Sequence, residues 1–331
     1  MIQNTPVTST SALVRRLSIE PDEATIFAWG AATFFLIGWG AVSLTNVSDT
    51  LFLKRIGVDL LPAVFLVSSL LLVVTTFMAA RLAARTPLLP LLRRTFLVLA
   101  AALLPLWLLV LADVRSAFVL LILAAKQFES IALLVFWATI GGQVHGRQAK
   151  RLYAPIVAGG TLGEMLGSFA SGSVGHLFGV AALVPVAAGC FALAGVLSVP
   201  LGSRQAVRLV PAAKVAAGGG PRRPLHMLRP LWSESRLFRL LVVSALLSGV
   251  LGPMLYFQFS YVADLATQGS DPEQRLLHLY AQFRGYLNAG VLVLQLVGTS
   301  WLFRQIGVPL ASTLSPLVYA LGFLGLGLHL G

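Results

Sequence analysis

The stretch "AKRLYAPIVAGGTLGEMLGS", residues 149–168, sets one carboxylate, Glu164, inside an apolar run. A carboxylate in that setting can hold a cation, orient a base or relay a proton, and lone apolar packing does not require it. A second run, "LLILAAKQFESIALLVFWATIGG", carries Lys126 and Glu129 three residues apart, a spacing that places both on one helix face. Further on, Tyr280, Arg284 and Asn288 follow one another at i, i+4, with Gln295 close to the same face. A guanidinium such as that of Arg284 forks onto phosphate or carboxylate oxygens. These residue types together point to recognition of a charged solute or to proton relay.

The elements that must position them follow from composition. The chain has 331 residues, of which 57% are hydrophobic and only 11% charged, and its mean hydropathy is +0.86. Soluble domains carry about 25% charged residues, so this chain cannot cover a water-facing surface. Several apolar runs reach the roughly 20 residues that cross a bilayer, and their continuity excludes the alternating strands of a β-barrel. The expected fold class is all-α, a polytopic membrane protein. The formal net charge of +12 does not imply nucleic acid, because the basic residues sit at the ends of apolar runs. The N-terminal residues are polar and lack the h-region and cleavage site of a secretory signal, so the first span is expected to be retained. One cysteine, Cys190, excludes an intramolecular disulfide and a cysteine metal cluster.

Apolar runs and their breaks predict about nine spans, near 24–46, 60–82, 94–112, 116–142, 153–178, 180–200, 238–262, 277–303 and 308–330. Residues 1–23 read as an N-terminal segment, 24–200 as a first six-helix bundle, and 238–331 as three helices of a second bundle. Between the bundles, 201–237 is rich in Gly, Pro and basic residues and reads as a flexible linker. Counting loop by loop, 18 Lys and Arg residues fall on the N-terminal side of the membrane and four on the other. The N-terminus and the linker are therefore expected in the cytoplasm. Arg85 before Pro90-Leu91 and Arg304 before Pro309-Leu310 form a faint repeat, of the kind seen in transporters built from parallel halves. The chain stops at "LGFLGLGLHLG" with no polar tail, and the expectation is a fragment of a longer transporter.

Within that frame Glu164 and Lys126 fall near the same depth, roughly 15 Å from the ends of their spans at 1.5 Å per residue. The ladder Gly159, Gly163, Gly167, Ser171, Gly175 has the small-residue spacing that lets two helices approach closely, so it reads as packing. Lys126, Glu129 and Glu164 read as a solute site, against the alternative that they only lock helices. For Arg284 the alternative is snorkelling to a nearby interface. Thr45, Asn46, Ser48 and Asp49 read as the entrance of an outer loop. The tryptophans Trp29, Trp39, Trp107 and Trp137 read as lipid-facing or packing residues, and the five histidines as scattered loop or interfacial residues. No phosphate-binding glycine-lysine loop and no GxGxxG occurs, which argues against nucleotide hydrolysis and a dinucleotide cofactor.

Two segments carry a resemblance. "FWATIGGQVHGRQAKRLYAPIVAGGTLGEMLGSFASG" and "YFQFSYVADLATQGSDPEQRLLHLYAQFRGYLNAGVLVLQLVGTSWLFRQIGVPL" resemble the fourth-to-fifth and seventh-to-eighth helix regions of the nucleotide transporter family, the ADP/ATP antiporters and their bacterial relatives. The family is distantly related to the major facilitator superfamily. The resemblance implies a major-facilitator-like bundle of twelve spans in two halves, here with the second half incomplete, around a cavity where basic residues meet phosphates. It also implies that Lys150 and Arg151 form a basic turn at the cytoplasmic mouth, and that Lys126 and Glu129 lie near a charged position of the fourth helix. Glu164 departs from the small or apolar residue usual at its place.

The expected function is a secondary transporter of nucleotides, by ATP/ADP-type exchange, or of a similar anionic solute. Lys126, Glu129, Glu164, Arg284 and Asn288 would bind the solute, and Lys150 and Arg151 would form a cytoplasmic gate. The alternatives are a non-transporting sensor or scaffold of the same fold and a transporter of a non-nucleotide anion. No enzyme activity, cofactor, metal or nucleic-acid partner is expected. The partners expected are the lipid bilayer, the solute and a cytoplasmic domain or partner at the basic linker, in a multi-pass protein of the bacterial inner membrane.

Overall fold

The computed structural model describes residues 23–144, 146–198, 232 and 236–298. The expected ninth span, nearly all of the N-terminal segment and most of the linker lie outside them. Among the described residues every regular element is helical. The helices are α1 (Ala24–Arg55), α2 (Leu61–Arg85), α3 (Leu88–Leu111), α4 (Arg115–Gln143), α5 (Gly146–Phe178), α6 (Leu183–Leu197), α7 (Arg236–Ala266) and α8 (Pro272–Val293). Short 3-10 turns at Val58–Leu60 and Val180–Ala182 lead into α2 and α6, and a π turn, Leu294–Gly298, follows α8.

The breaks have local causes. Gly57 and Gly179 adopt φ of 110° and 86°, a region open mainly to glycine, where α1 and α5 end. Pro87 follows α2, and Thr86 before it is extended, as the clash with a proline ring requires. Asp113, at φ 54°, turns the chain between α3 and α4, and Asp271, at φ 50°, precedes Pro272 in the first turn of α8.

Among the described residues six segments are long and apolar enough to cross a membrane: α1, Val58–Arg85, α3, α4, Val180–Leu197 and Leu246–Ala266. α5 and α8 are long helices but fall below that measure of hydropathy, because glycine and charged or polar residues dilute their apolar content. On α2, Leu66, Leu70, Val73 and Met78 are all more than 60% exposed, an apolar face suited to hydrocarbon rather than water. α1, at 32 residues, is about 48 Å long, which exceeds a hydrocarbon core of about 30 Å.

The chain divides into two compact units. One holds Met1–Leu209 with Thr267–Gln295, and the other holds Val210–Ala266 with Leu296–Gly331. In the first, α1 runs centrally and packs on α4, α5, α6 and α8, while α3 packs between α4 and α6. Its core includes Ile37, Leu44 and Val47 of α1, Phe96 and Leu103 of α3, Phe118 and Leu121 of α4, and Phe191 of α6. Phe34 stacks on Phe136 with centroids 4.8 Å apart, and Trp137 meets Phe34, Phe136 and Tyr153 edge-on at 5.3 Å. Trp29 is buried in the same group, so these tryptophans pack helices together. In the second unit the described helix is α7, which carries Pro253 in its interior and exposes Leu246, Leu247 and Val250.

The glycine ladder does what its spacing predicts. A Cβ on Gly159 would lie 3.1 Å from the Ala31 carbonyl oxygen, and one on Gly167 would lie 3.0 Å from the Trp39 Cα. One on Gly163 would fall on the Phe35 carbonyl oxygen. α5 thus lies backbone to backbone on α1. At the far end of the ladder Gly175 faces Leu277 of α8.

Two local expectations are corrected. Thr45, Asn46, Ser48 and Asp49 are not a loop entrance: α1 continues through them to Arg55, and Asn46, Ser48 and Asp49 are buried. The helix continues because its polar side chains find partners, Ser48 Oγ on the Thr45 carbonyl at 3.1 Å and both Asn46 and Asp49 on Arg284. Lys150 and Arg151 likewise lie within α5, which begins at Gly146, rather than in a turn before it.

Candidate functional site

α4 and α5 both pack on α1, and each carries charged residues. Lys126 and Glu129 of α4 are half-buried, and so is Glu164 of α5. The carboxylates of Glu129 and Glu164 are near enough to interact electrostatically. Glu164 is held against α1, where Gly38 has no side chain: a Cβ there would lie 3.2 Å from the Glu164 Cγ. The Lys126 carbonyl accepts the Ser130 hydroxyl at 2.9 Å, an i−4 back-bond within α4.

Between Lys126 and Glu129 the sequence carries a residue that spacing arguments passed over. Gln127 is 7% exposed and faces α2, where its Nε2 donates to the Ser68 carbonyl at 2.9 Å. Its Oε1 accepts the Thr75 hydroxyl at 2.9 Å. A buried amide satisfied at both ends fixes the rotation of α4, which sets where Lys126 and Glu129 sit around the helix.

On α8 the guanidinium of Arg284 donates to Asn46 Oδ1 and to Asp49 Oδ2, both on α1. The Arg284 side chain is 13% exposed and the Asp49 side chain 1%. The guanidinium carbon also lies 4.6 Å from the centroid of the Tyr280 ring, one turn earlier. Arg284 is therefore an internal ion-pair residue, and the snorkelling alternative is set aside. Asn288, one turn beyond, is half-buried, as is Gln295.

Both ends of the first unit carry ion pairs. Arg151 donates to Glu23 Oε1 at 2.7 Å, and Glu23 is 2% exposed, so the start of α5 is tied to the start of α1. At the opposite end Arg55 of α1 reaches Glu273 of α8 at 2.5 Å and Asp113, in the turn between α3 and α4, at 3.2 Å. Lys54 Nζ reaches the Thr267 carbonyl at 3.5 Å.

The structure thus brings Glu129 and Glu164 together and joins Arg284 to two residues the sequence reading placed outside any site. No family model, curated protein or solved structure matches this chain. Among the described residues the regular elements are all helical, six are long and apolar enough to cross a membrane, and charged residues are held between them.

Proposed function

We propose that this chain belongs to a secondary transporter of an anionic solute, with ATP/ADP-type exchange as the specific reading, working by alternating access of two helical bundles. The observation that carries the reading is the set of ionisable residues on four helices: Asp49 on α1, Glu129 on α4, Glu164 on α5 and Arg284 on α8, all at least half-buried. Such residues are costly in hydrocarbon and are kept where they meet a solute, an ion or one another. In this reading Lys126 meets the anion, Glu129 orients Lys126, and Glu164 is a proton-linked gate. Arg284 exchanges Asp49 for a phosphate or carboxylate, a partner of equal charge and similar geometry. Asn288 adds an amide one turn away, and Lys150 with Arg151 stands at the cytoplasmic mouth of an inner-membrane protein whose N-terminus is cytoplasmic.

The pairing already present favours a second reading. Arg284 and Arg151 each hold a carboxylate, so the charges can serve to lock helices in a non-transporting membrane sensor or scaffold. Thermal unfolding of the purified protein with ATP or ADP separates the two. A nucleotide at a hundred times its Kd adds about 2.7 kcal/mol to stability, so a rise in Tm that Lys126→Met abolishes supports the transporter. An unchanged Tm at millimolar ATP and ADP removes the nucleotide reading.

A further inference from the structure

Residues of α5 and α8 line a groove of about 550 Å³ between the two helices. Its polar lining is Ser173 and His176 from α5 and Gln274, Arg275, His278 and Gln282 from α8. The charged or ionisable groups among these are one guanidinium and two imidazoles, with no carboxylate. The nearest acid in sequence, Glu273, is paired with Arg55 at 2.5 Å and does not line the groove. Arg275 is braced from behind, with Nη1 on the Gln268 carbonyl at 3.4 Å and Nη2 on the Ser270 hydroxyl at 3.2 Å. It also lies in the first turn of α8, where unpaired backbone N–H groups add positive potential.

The floor is apolar. Phe169, Gly172 and Ala281 line it, and Phe169 closes one end by an edge-on contact with Tyr286 at 5.3 Å. Gly172 leaves the space open, since a Cβ there would already lie 3.5 Å from both the His278 Nδ1 and the Ala281 Cβ. The Arg275 guanidinium opposes a metal cation, and no carboxylate or thiolate among the lining residues offsets its charge. The same donors suit an anion, and the volume falls in the range of pockets that take a whole organic ligand rather than a bare ion.

We propose that this groove binds the phosphate group of an anionic ligand. Arg275 is the anchor, the ring N–H groups of His176 and His278 and the Gln282 amide are further donors, and Phe169 and Ala281 lie under the non-phosphate part. The phosphate comes either from the head group of an anionic lipid or from a soluble phosphate compound. Residues assigned above to the solute, Lys126, Glu129, Glu164, Arg284 and Asn288, do not line the groove, so the proposal stands apart from the transporter reading.

The test measures binding by the full chain in neutral detergent, with phosphatidylglycerol, phosphatidylcholine, inorganic phosphate and ATP as separate probes. The variants are Arg275→Gln, Gly172→Leu, which fills the groove, and Lys126→Met. The expected result is that at least one phosphate probe binds and that Arg275→Gln weakens it about tenfold or more, the loss expected for a charge-assisted hydrogen bond. Gly172→Leu weakens the same probe. Phosphatidylglycerol binding above phosphatidylcholine assigns the lipid source, and binding of inorganic phosphate or ATP assigns the soluble one. If no probe binds, or if Arg275→Gln binds as the parent does, the proposal is overturned. Because Arg275 is exposed, that variant decides the matter even if Gly172→Leu does not fold. ATP binding lost in Lys126→Met but kept in Arg275→Gln, with no other probe sensitive to Arg275→Gln, would overturn this inference while leaving the transporter reading in place.

Discussion

Arg284 and Asp49 stand 235 positions apart in the chain, and the guanidinium of one is hydrogen-bonded to the carboxylate of the other between α8 and α1. Asp49 lies almost wholly out of solvent, so its charge has been removed from water and Arg284 compensates for it. Changing Asp49 to Leu leaves a largely buried guanidinium with Asn46 but without its carboxylate. The expected loss is about 3–5 kcal/mol, and the double change Asp49→Leu/Arg284→Met should recover most of it. Thermal or denaturant unfolding in detergent reads this directly; a double variant no more stable than either single one contradicts it.

The contact of α5 with α1 predicts a contrast between glycines. At Gly163 any side chain falls on the Phe35 backbone, so Gly163→Leu should cost about 1–3 kcal/mol or more through overpacking. Gly189 of α6 has nothing within 4 Å of a Cβ, and Gly189→Ala should be neutral or slightly stabilising through helix propensity. Equal melting temperatures for the two variants would show that α5 and α1 do not approach so closely.

The ladder was legible in the sequence because its cause is local: small residues every fourth position name the face that packs. The helices on which it rests were legible from apolar runs for the same reason. What the sequence hid was pairing at a distance. Thr45 to Asp49 look like a loop while Arg284 is out of view, and with Arg284 present Asn46 and Asp49 each hold a partner inside the helix pair. Gln127 looked like a spacer between Lys126 and Glu129 because its partners are on α2. His176 and His278 looked scattered because only the packing of α5 on α8 puts them in one groove. Glu164 was conspicuous because it interrupts an apolar run, but Glu129 could be named only as a residue on one helix face with Lys126.

The ion pairs around Arg55 differ in kind from Arg284–Asp49. The Arg55 side chain is 43% exposed, with partners Asp113 at 64% and Glu273 at 25%. Solvent screens such pairs, so Arg55→Met should change stability by less than about 1 kcal/mol. The same change should weaken the dependence of Tm on salt between low and physiological ionic strength. A loss of several kcal/mol would mean that Arg55 fixes the fold rather than trimming its surface.

Orientation has a direct test. From the uneven distribution of Lys and Arg, the N-terminal segment and the linker are expected in the cytoplasm. Single cysteines at Ser11 and Ala217, in a Cys190→Ala background, should resist an impermeant thiol reagent in intact cells and react after lysis. Cys190 is buried, so Cys190→Ala removes a packed sulfur, and the Tm of that background is compared with the parent's before labelling. Labelling of both sites from outside would invert the topology.

The charges on α4 and α5 allow the sharpest separation of binding from locking. If Lys126 and Glu129 only tie helices together, removing both charges at once should be nearly harmless, because the desolvation of both disappears together. If Lys126 meets an anionic solute, its loss should abolish binding whether or not Glu129 is also changed. The comparison is therefore Lys126→Met against Lys126→Met/Glu129→Leu, each assayed for folding by Tm and for ATP binding. Glu129 lies within electrostatic range of Glu164, so Glu129→Leu also relieves a like-charge contact, and the double variant should be at least as stable as the single one. The expected result is a double variant that folds as well as the parent and binds nucleotide at least tenfold more weakly, a loss of about 1.4 kcal/mol. A double variant that folds and binds as the parent does would make these charges structural, and would leave Arg284 as the cation on which an anion site could still be built.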